Sequence, residues 1–219
     1  MFRWIVWGLV CALSVVLLWI FLLSFINPPT TLYMRSEALR LGKTPKHEWV
    51  VFETIAPVVA RSVVAAEDSN FCNHWGFDIA ELRKAIDEGG ERGASTLSQQ
   101  VVKNVFLWHG RNYTRKALEA AITPIMEAFW TKRRIVEVYM NVAEFDEGVF
   151  GISAAAQHYF GVSVDKLTPV QAARLAAILP SPKTRSASNP GAFTRKRAAS
   201  IMDGAETIRL DGRDDCFAD

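Results

Sequence analysis

From Trp4 to Ile26 the chain carries no charged side chain and is built mainly from Trp, Leu, Val, Ile and Phe. A helix of that length crosses a hydrocarbon core of roughly 30 Å, and Pro28-Pro29 stops it. Residues 30–50, with Pro45 and no clear period, read as an irregular membrane-proximal linker. From about residue 54 the pattern becomes helical. Ile55, Val58, Val59, Ser62, Val63 and Ala66 form one stripe. Asp78 can cap a helix through Asp87 that Gly89-Gly90 closes, and Ser95 or Thr96 can cap another to about Leu107. Thr114 opens a long helical stretch through Tyr139, with Pro124 as a kink or a break. Helices are expected over 149–160, over 169–179 (Thr168 as cap, Pro169 first) and, after Asn189-Pro190, over 192–209. No strand-like alternation and no internal repeat is visible. The expected class is mostly α, with a transmembrane anchor over 1–29, a linker over 30–50 and one helical domain over 51–210.

Composition changes this picture little. The 219 residues are 50% hydrophobic and 22% charged, and the formal net charge is +2. That balance excludes a strongly basic nucleic-acid binder and leaves room for a local basic pocket. The anchor runs into Ser24-Phe25-Ile26-Asn27 with no small-residue cleavage pattern, so an uncleaved span is expected rather than a signal peptide. Trp4, Trp7 and Trp19 suit interfacial depths. Charge does not settle orientation: Arg3 marks the short side as cytoplasmic, while Arg35, Arg40, Lys43 and Lys46 argue the other way. Cys11, Cys72 and Cys216 are odd in number and widely spaced, which gives neither a disulfide framework nor a zinc site. They read as small apolar fillers.

Three segments hold more polar chemistry than a core needs. The first runs from Glu67 to Asp78 and ends an apolar helix. A carboxylate at position 67 desolvated by Phe71, Trp75 and Phe77 would have a raised pKa and act as a base near neutral pH; the alternative is a helix-terminal surface carboxylate. In the second, Ser95, Thr96, Gln99, Gln100 and Lys103 share one sector of a helix, opposite Leu97, Val101 and Val105. That is an anion seat at a helix N-terminus, with Gly93 allowing close backbone approach, or an ordinary amphipathic helix. The third holds Arg111, Arg115, Lys116 and Glu119. It is either a surface ion pair worth a few tenths of a kcal/mol or a basic wall for a diphosphate.

Together these segments resemble the glycosyltransferase domain of bacterial peptidoglycan polymerases, the lysozyme-like membrane-bound transglycosylases. The pattern E-D-x-x-F-x-x-H-x-G-x-D is met by Glu67, Asp68, Phe71, His74, Gly76 and Asp78. G-x-S-T-x-x-Q-Q-x-x-K-N is met by Gly93, Ser95, Thr96, Gln99, Gln100, Lys103 and Asn104. R-K-x-x-E is met by Arg115, Lys116 and Glu119, and K-x-x-I-x-E-x-Y-x-N by Lys132, Ile135, Glu137, Tyr139 and Asn141. A fifth block runs from Gly148 to Gly151 through Ala154-Ala155-Ala156 and Tyr159-Phe160-Gly161. The blocks keep family order. The wording looks most like the monofunctional biosynthetic form, and Ser163-x-x-Lys166 has none of the partners a transpeptidase needs. Met140, Val136 and Phe150 depart from the common Leu, Leu and Tyr.

The resemblance implies polymerisation of lipid II into β-1,4 glycan with inversion and release of undecaprenyl diphosphate. Glu67 is then the general base and Glu119 a second carboxylate. Ser95, Gln99, Gln100, Lys103, Asn104, Arg111, Arg115 and Lys116 face the diphosphate or substrate, and Asp68, Phe71, His74 and Gly76 support the motif. His74 is expected to bond backbone. No cofactor is required, and a divalent metal is compatible with the family. The implied partners are lipid II, the growing lipid-linked glycan, the membrane and other cell-wall synthesis or division proteins; nucleic acid is not among them. The implied location is the bacterial inner membrane, single-pass, with the catalytic domain on the periplasmic side. Two other readings compete. A glycan-cleaving lysozyme-like enzyme would not need the cations, and a non-catalytic scaffold would not need the carboxylates.

Overall fold

The computed structural model describes residues 2–89, 95–110 and 112–218. Helix α1 (Phe2–Leu22) has a mean hydropathy of 2.7 over its apolar stretch and is long and apolar enough to cross a membrane. Most of it is bare, but its C-terminal end is docked on the rest of the chain. Ile20 and Leu23 are buried. The Trp130 indole N–H donates to the Ile20 carbonyl at 2.8 Å. The Arg134 guanidinium donates to the carbonyls of Leu23 (3.1 Å) and Ile26 (2.9 Å) and to Asn27 Oδ1 (2.8 Å). These carbonyls have no partner within the helix, and a cation there also complements the helix dipole.

The segment expected as an irregular linker is largely ordered secondary structure. Thr31 caps α2 (Leu32–Leu41) by accepting the Met34 N–H, and Gly42 ends it. Long-range contacts hold it down: the Tyr33 hydroxyl donates to Glu144, and Lys183 bonds Glu37 at 2.8 Å. Strand β1 (Lys46–His47) then pairs in parallel with β3 (Val149–Phe150), which pairs antiparallel with β2 (Glu144–Asp146), giving the order β1-β3-β2. This small sheet is compatible with the mostly α class; the correction is to the helix expected over 149–160, where 149–150 is strand before α8 (Ile152–Phe160) begins. Such short strands carry too few residues to show an alternation. Asn141 is fully buried and stitches the sheet region to the helices, exchanging bonds with Val50 N–H and C=O, both at 2.9 Å.

The helical body has two packed groups. Helix α3 (Pro57–Glu67) lies against α9 (Pro169–Ile178) and α10 (Ala192–Leu210). Helix α5 (Leu97–Phe106) lies against α6 (Tyr113–Phe129) and α7 (Lys132–Val142). The short α4 (Ile79–Asp87), capped by Asp78 through the Glu81 N–H at 3.0 Å, links them. Pro124 does not break the Thr114–Tyr139 stretch at that point. Helix α6 runs through it, and the break falls at Trp130, after which Thr131 caps α7. Phe150, where the family commonly has Tyr, is fully buried against the Tyr33 ring. A hydroxyl there would need a buried partner.

The cysteines are not all fillers. Cys72 and Cys216 form a disulfide, and Cys11 is free and exposed on α1. The bond fastens the segment after α10 to the loop that follows Glu67. Phe217 packs near Phe71, and Arg213 donates to the Ser69 carbonyl at 3.1 Å. The separation of 144 residues left no local pattern to read.

Candidate active site

Glu67 is the last residue of α3, where the apolar stripe of that helix delivers it to a cleft of about 420 Å³. Ser95, Thr96, Gln100, Pro180 and Arg197 share that cleft. Gln100 donates its amide N–H to Glu67 Oε2 at 2.8 Å, and the Tyr139 hydroxyl donates to Gln100 Oε1 at 3.2 Å. The relay fixes the plane of the carboxylate. Glu67 Oε1 is shielded from solvent and has no hydrogen-bond partner among the described residues. Burial raises the Glu67 pKa and outweighs the Gln100 bond and the nearby Arg197 and Lys103 charges, which pull it down. A carboxyl so tuned can hold a proton at higher pH than a surface glutamate, as a general base near neutrality requires.

Across Gln100 and Pro180 lies a second cavity of about 390 Å³, lined by Lys103, Asn104, His109, Tyr139 and Lys183 among others. Lys103 extends from α5, and among the described residues its ammonium has no hydrogen-bond or ion-pair partner. Burial lowers its pKa, while Glu119 and Glu67 pull the other way. It is thus a partly desolvated cation within electrostatic reach of both glutamates, available to an anion. Glu119 is buried on α6 and held by two cations: Arg115 at 2.7 Å, and Lys116, which also donates to Ser95 Oγ at 3.1 Å. The Arg115–Glu119 pair is therefore not a loose surface contact. Both partners are shielded, so removing Glu119 would leave the Arg115 guanidinium without its carboxylate, whereas removing Arg115 would leave Glu119 to Lys116 alone.

Other predicted site residues build the frame. Asp68 is buried; its Oδ2 accepts the Leu97 N–H at 2.9 Å at the start of α5, and its Oδ1 bonds His74 at 2.9 Å. His74 thus bonds a carboxylate, where a backbone partner was expected. Gln99, expected on the phosphate, has its carbonyl oxygen in the capping box of α5, accepting the Thr96 N–H at 3.1 Å. Asn104 Oδ1 accepts from His109 Nε2 at 3.1 Å, and the His109 ring stacks on Tyr33. Phe71 is core, with the Lys132 ammonium 4.3 Å above its ring. That lysine also bonds Glu127 at 2.9 Å and the His74 carbonyl at 2.7 Å. Gly76 has φ +85°, and a Cβ there would lie 2.7 Å from Thr123 Cγ2. Gly93 and Arg111 lie outside the described residues. Among the described residues no three His, Cys, Asp or Glu side chains group to hold a metal ion.

Two contributors were not singled out from the sequence. Tyr139 stands in a matched block, but nothing local tells that its hydroxyl reaches Gln100. Arg197 sits in the run Arg195-Lys196-Arg197, which looks like any solvated helical face.

An N-terminal helix that fits a membrane anchor, a helical body and a half-shielded glutamate on a polar cleft accompany a match to one family model. That model, Transglycosylase, matches residues 35–206, and the chain belongs to this family of glycosyltransferase enzymes. A biosynthetic peptidoglycan transglycosylase of Jannaschia sp. (strain CCS1) is 56% identical over 216 residues, covering 99% of this chain and 90% of the relative. Proteins of the same description from Caulobacter vibrioides (49% identical; 91% of this chain, 88% of the relative) and Rhizobium meliloti (46%; 88% and 82%) are also similar.

Proposed function

We propose that this protein is a peptidoglycan transglycosylase that polymerises lipid II, with Glu67 as the base and the Lys103 cavity as the seat of the departing diphosphate. The observation that carries the reading is the placement of Glu67 and Lys103 on either side of Gln100. Among the described residues, one is a carboxylate with an oxygen that has no hydrogen-bond partner, the other a cation with no hydrogen-bond or ion-pair partner.

The acceptor sugar enters the Glu67 cleft and its 4-hydroxyl oxygen attacks the anomeric carbon of the growing chain. The hydroxyl proton passes to the Glu67 carboxylate. The new C–O bond forms as the bond to the diphosphate breaks on the opposite face, which inverts that carbon. The leaving undecaprenyl diphosphate keeps the electron pair, and Lys103 meets the charge as it develops. Arg115 and Lys116, anchored by Glu119, extend the positive field toward Ser95.

The polyprenyl tails explain the anchor: both substrates reside in a bilayer, so the site must stand at its surface. The disulfide supports a catalytic domain on the outer side of the inner membrane, because such bonds persist in oxidising compartments and are rare in the cytosol.

The test is incubation of the full chain in detergent with labelled lipid II. Long glycan should form, a diphosphoglycolipid competitor of the moenomycin type should block it, and Glu67→Gln should slow it about 10²–10⁴-fold. Cleavage of finished peptidoglycan with lipid II untouched would replace this reading with a lytic one.

A further inference from the structure

Arg197 lies on α10, beyond the sequence blocks that carry the family resemblance. Its Nη2 donates to the carbonyl of Ala66 at 3.1 Å, the residue directly before Glu67. Its Nε is buried and has no hydrogen-bond partner among the described residues, and the residue lines the same cleft as Glu67. Among the described residues, the charged and titratable groups that face Glu67 include Asp68 in the chain itself, Lys103 on α5, Tyr139 on α7 and Arg197 on α10, and Asp78 and Glu81 of the α4 start line the same cleft. Asp68 disfavours a charged Glu67 and the two cations favour it, Arg197 more than Lys103. Gln100 adds a neutral hydrogen bond. Lys103 belongs to the neighbouring cavity, where the reaction brings in a diphosphate that would draw on its charge. Among the described residues Arg197 forms no ion pair that would divide its charge.

We propose that Arg197 is a positioning residue for Glu67: it holds the peptide carbonyl ahead of the carboxylate and supplies the fixed positive charge that lets this shielded group stay ionised. The inference rests on the reading of Glu67 as the base. A base must be ionised to accept the acceptor proton, so the rate climbs with pH through the Glu67 ionisation. Removing a nearby cation makes ionisation harder and moves that climb to higher pH.

The experiment is the pH dependence of kcat/KM for polymerisation of labelled lipid II by the full chain, at constant salt, in wild type, Arg197→Gln and Arg197→Lys. Arg197→Gln removes the charge; its shorter side chain, like that of Arg197→Lys, stops short of the Nη2 position that bonds the Ala66 carbonyl, so the two variants share that loss and differ in charge. The acid limb of Arg197→Gln should move up by about one pH unit, the lower end of what a neighbouring guanidinium does to a carboxylate, so the rate on the acid side falls about tenfold. Arg197→Lys keeps the charge and should leave the limb within a few tenths of a unit of wild type. An unmoved limb in Arg197→Gln with a raised KM would make Arg197 a substrate contact and overturn the proposal. A uniform loss at every pH, equal in both variants, would make it a structural residue and do the same. If the wild-type chain does not polymerise lipid II, the functional reading falls. If it does and the limb is unmoved, only the role of Arg197 falls.

Discussion

Reduction of the Cys72–Cys216 bond should destabilise the catalytic domain heavily. The bond closes a loop spanning 144 residues, from the motif loop after Glu67 to the segment beyond α10. Chain-entropy arithmetic for a loop of that length gives about 17 cal/mol/K, or about 5 kcal/mol at 25 °C, at the top of the range of about 2–5 kcal/mol seen for native bridges. For a domain of this size each kcal/mol moves the melting temperature by about 2–4 °C, so the loss should be about 10–20 °C. The assay is thermal unfolding of the detergent-solubilised chain with and without reductant, beside Cys72→Ser/Cys216→Ser. Thiol titration of unfolded protein supplies the control: one thiol, Cys11, before reduction and three after. The double variant should melt with reduced wild type and not respond to reductant. A titration that shows full reduction with an unchanged melting temperature would refute the reasoning, because the segment from Arg213 to Phe217 would then be held by its other contacts alone.

Three further outcomes are expected. Glu67→Gln should stabilise the fold even as it removes activity. The Glu67 pKa is raised in the folded state, so ionisation there weakens folding as pH rises above the ordinary glutamate value near 4.5; the stability gap between variant and wild type should widen from pH 5 toward 8 in chemical unfolding, and a gap that is constant with pH would contradict it. Gly76→Ala should cost about 2 kcal/mol, since φ +85° and the Thr123 methyl both oppose a side chain, and Thr123→Ala should rescue it only in part; unfolding of the single and double variants reads this. Lys132→Met should cost about 3–5 kcal/mol by leaving Glu127 buried and unpaired, and adding Glu127→Gln should recover much of it in the same unfolding measurement.

Local chemistry was legible in the sequence and long-range chemistry was not. Asp78, Thr96 and Thr168 were readable as caps because a capping oxygen meets an N–H a few residues on. Glu67 and Lys103 were readable because their blocks are dense in polar groups that no core needs. Gln99 and Gln100 were inseparable on paper, yet about 100° of helix rotation sends one to the cap and the other to Glu67. Helix α2 was missed because its hold comes from Glu144 and Lys183, more than a hundred residues away. The Cys72–Cys216 pair and Arg197 had no signature for the same reason: their partners are chosen by how α10 packs on α3.

The grip of Trp130 and Arg134 on the end of α1 makes the anchor a stiff mast rather than a tether. A body on a loose leash would sample many tilts above a bilayer and meet its substrates at many angles. One residue inserted into the span would lengthen it by about 1.5 Å and turn its two ends by about 100° relative to each other. Lateral gliding in the plane of the lipid is the freedom such an enzyme keeps, and it is the one needed to follow a lengthening strand.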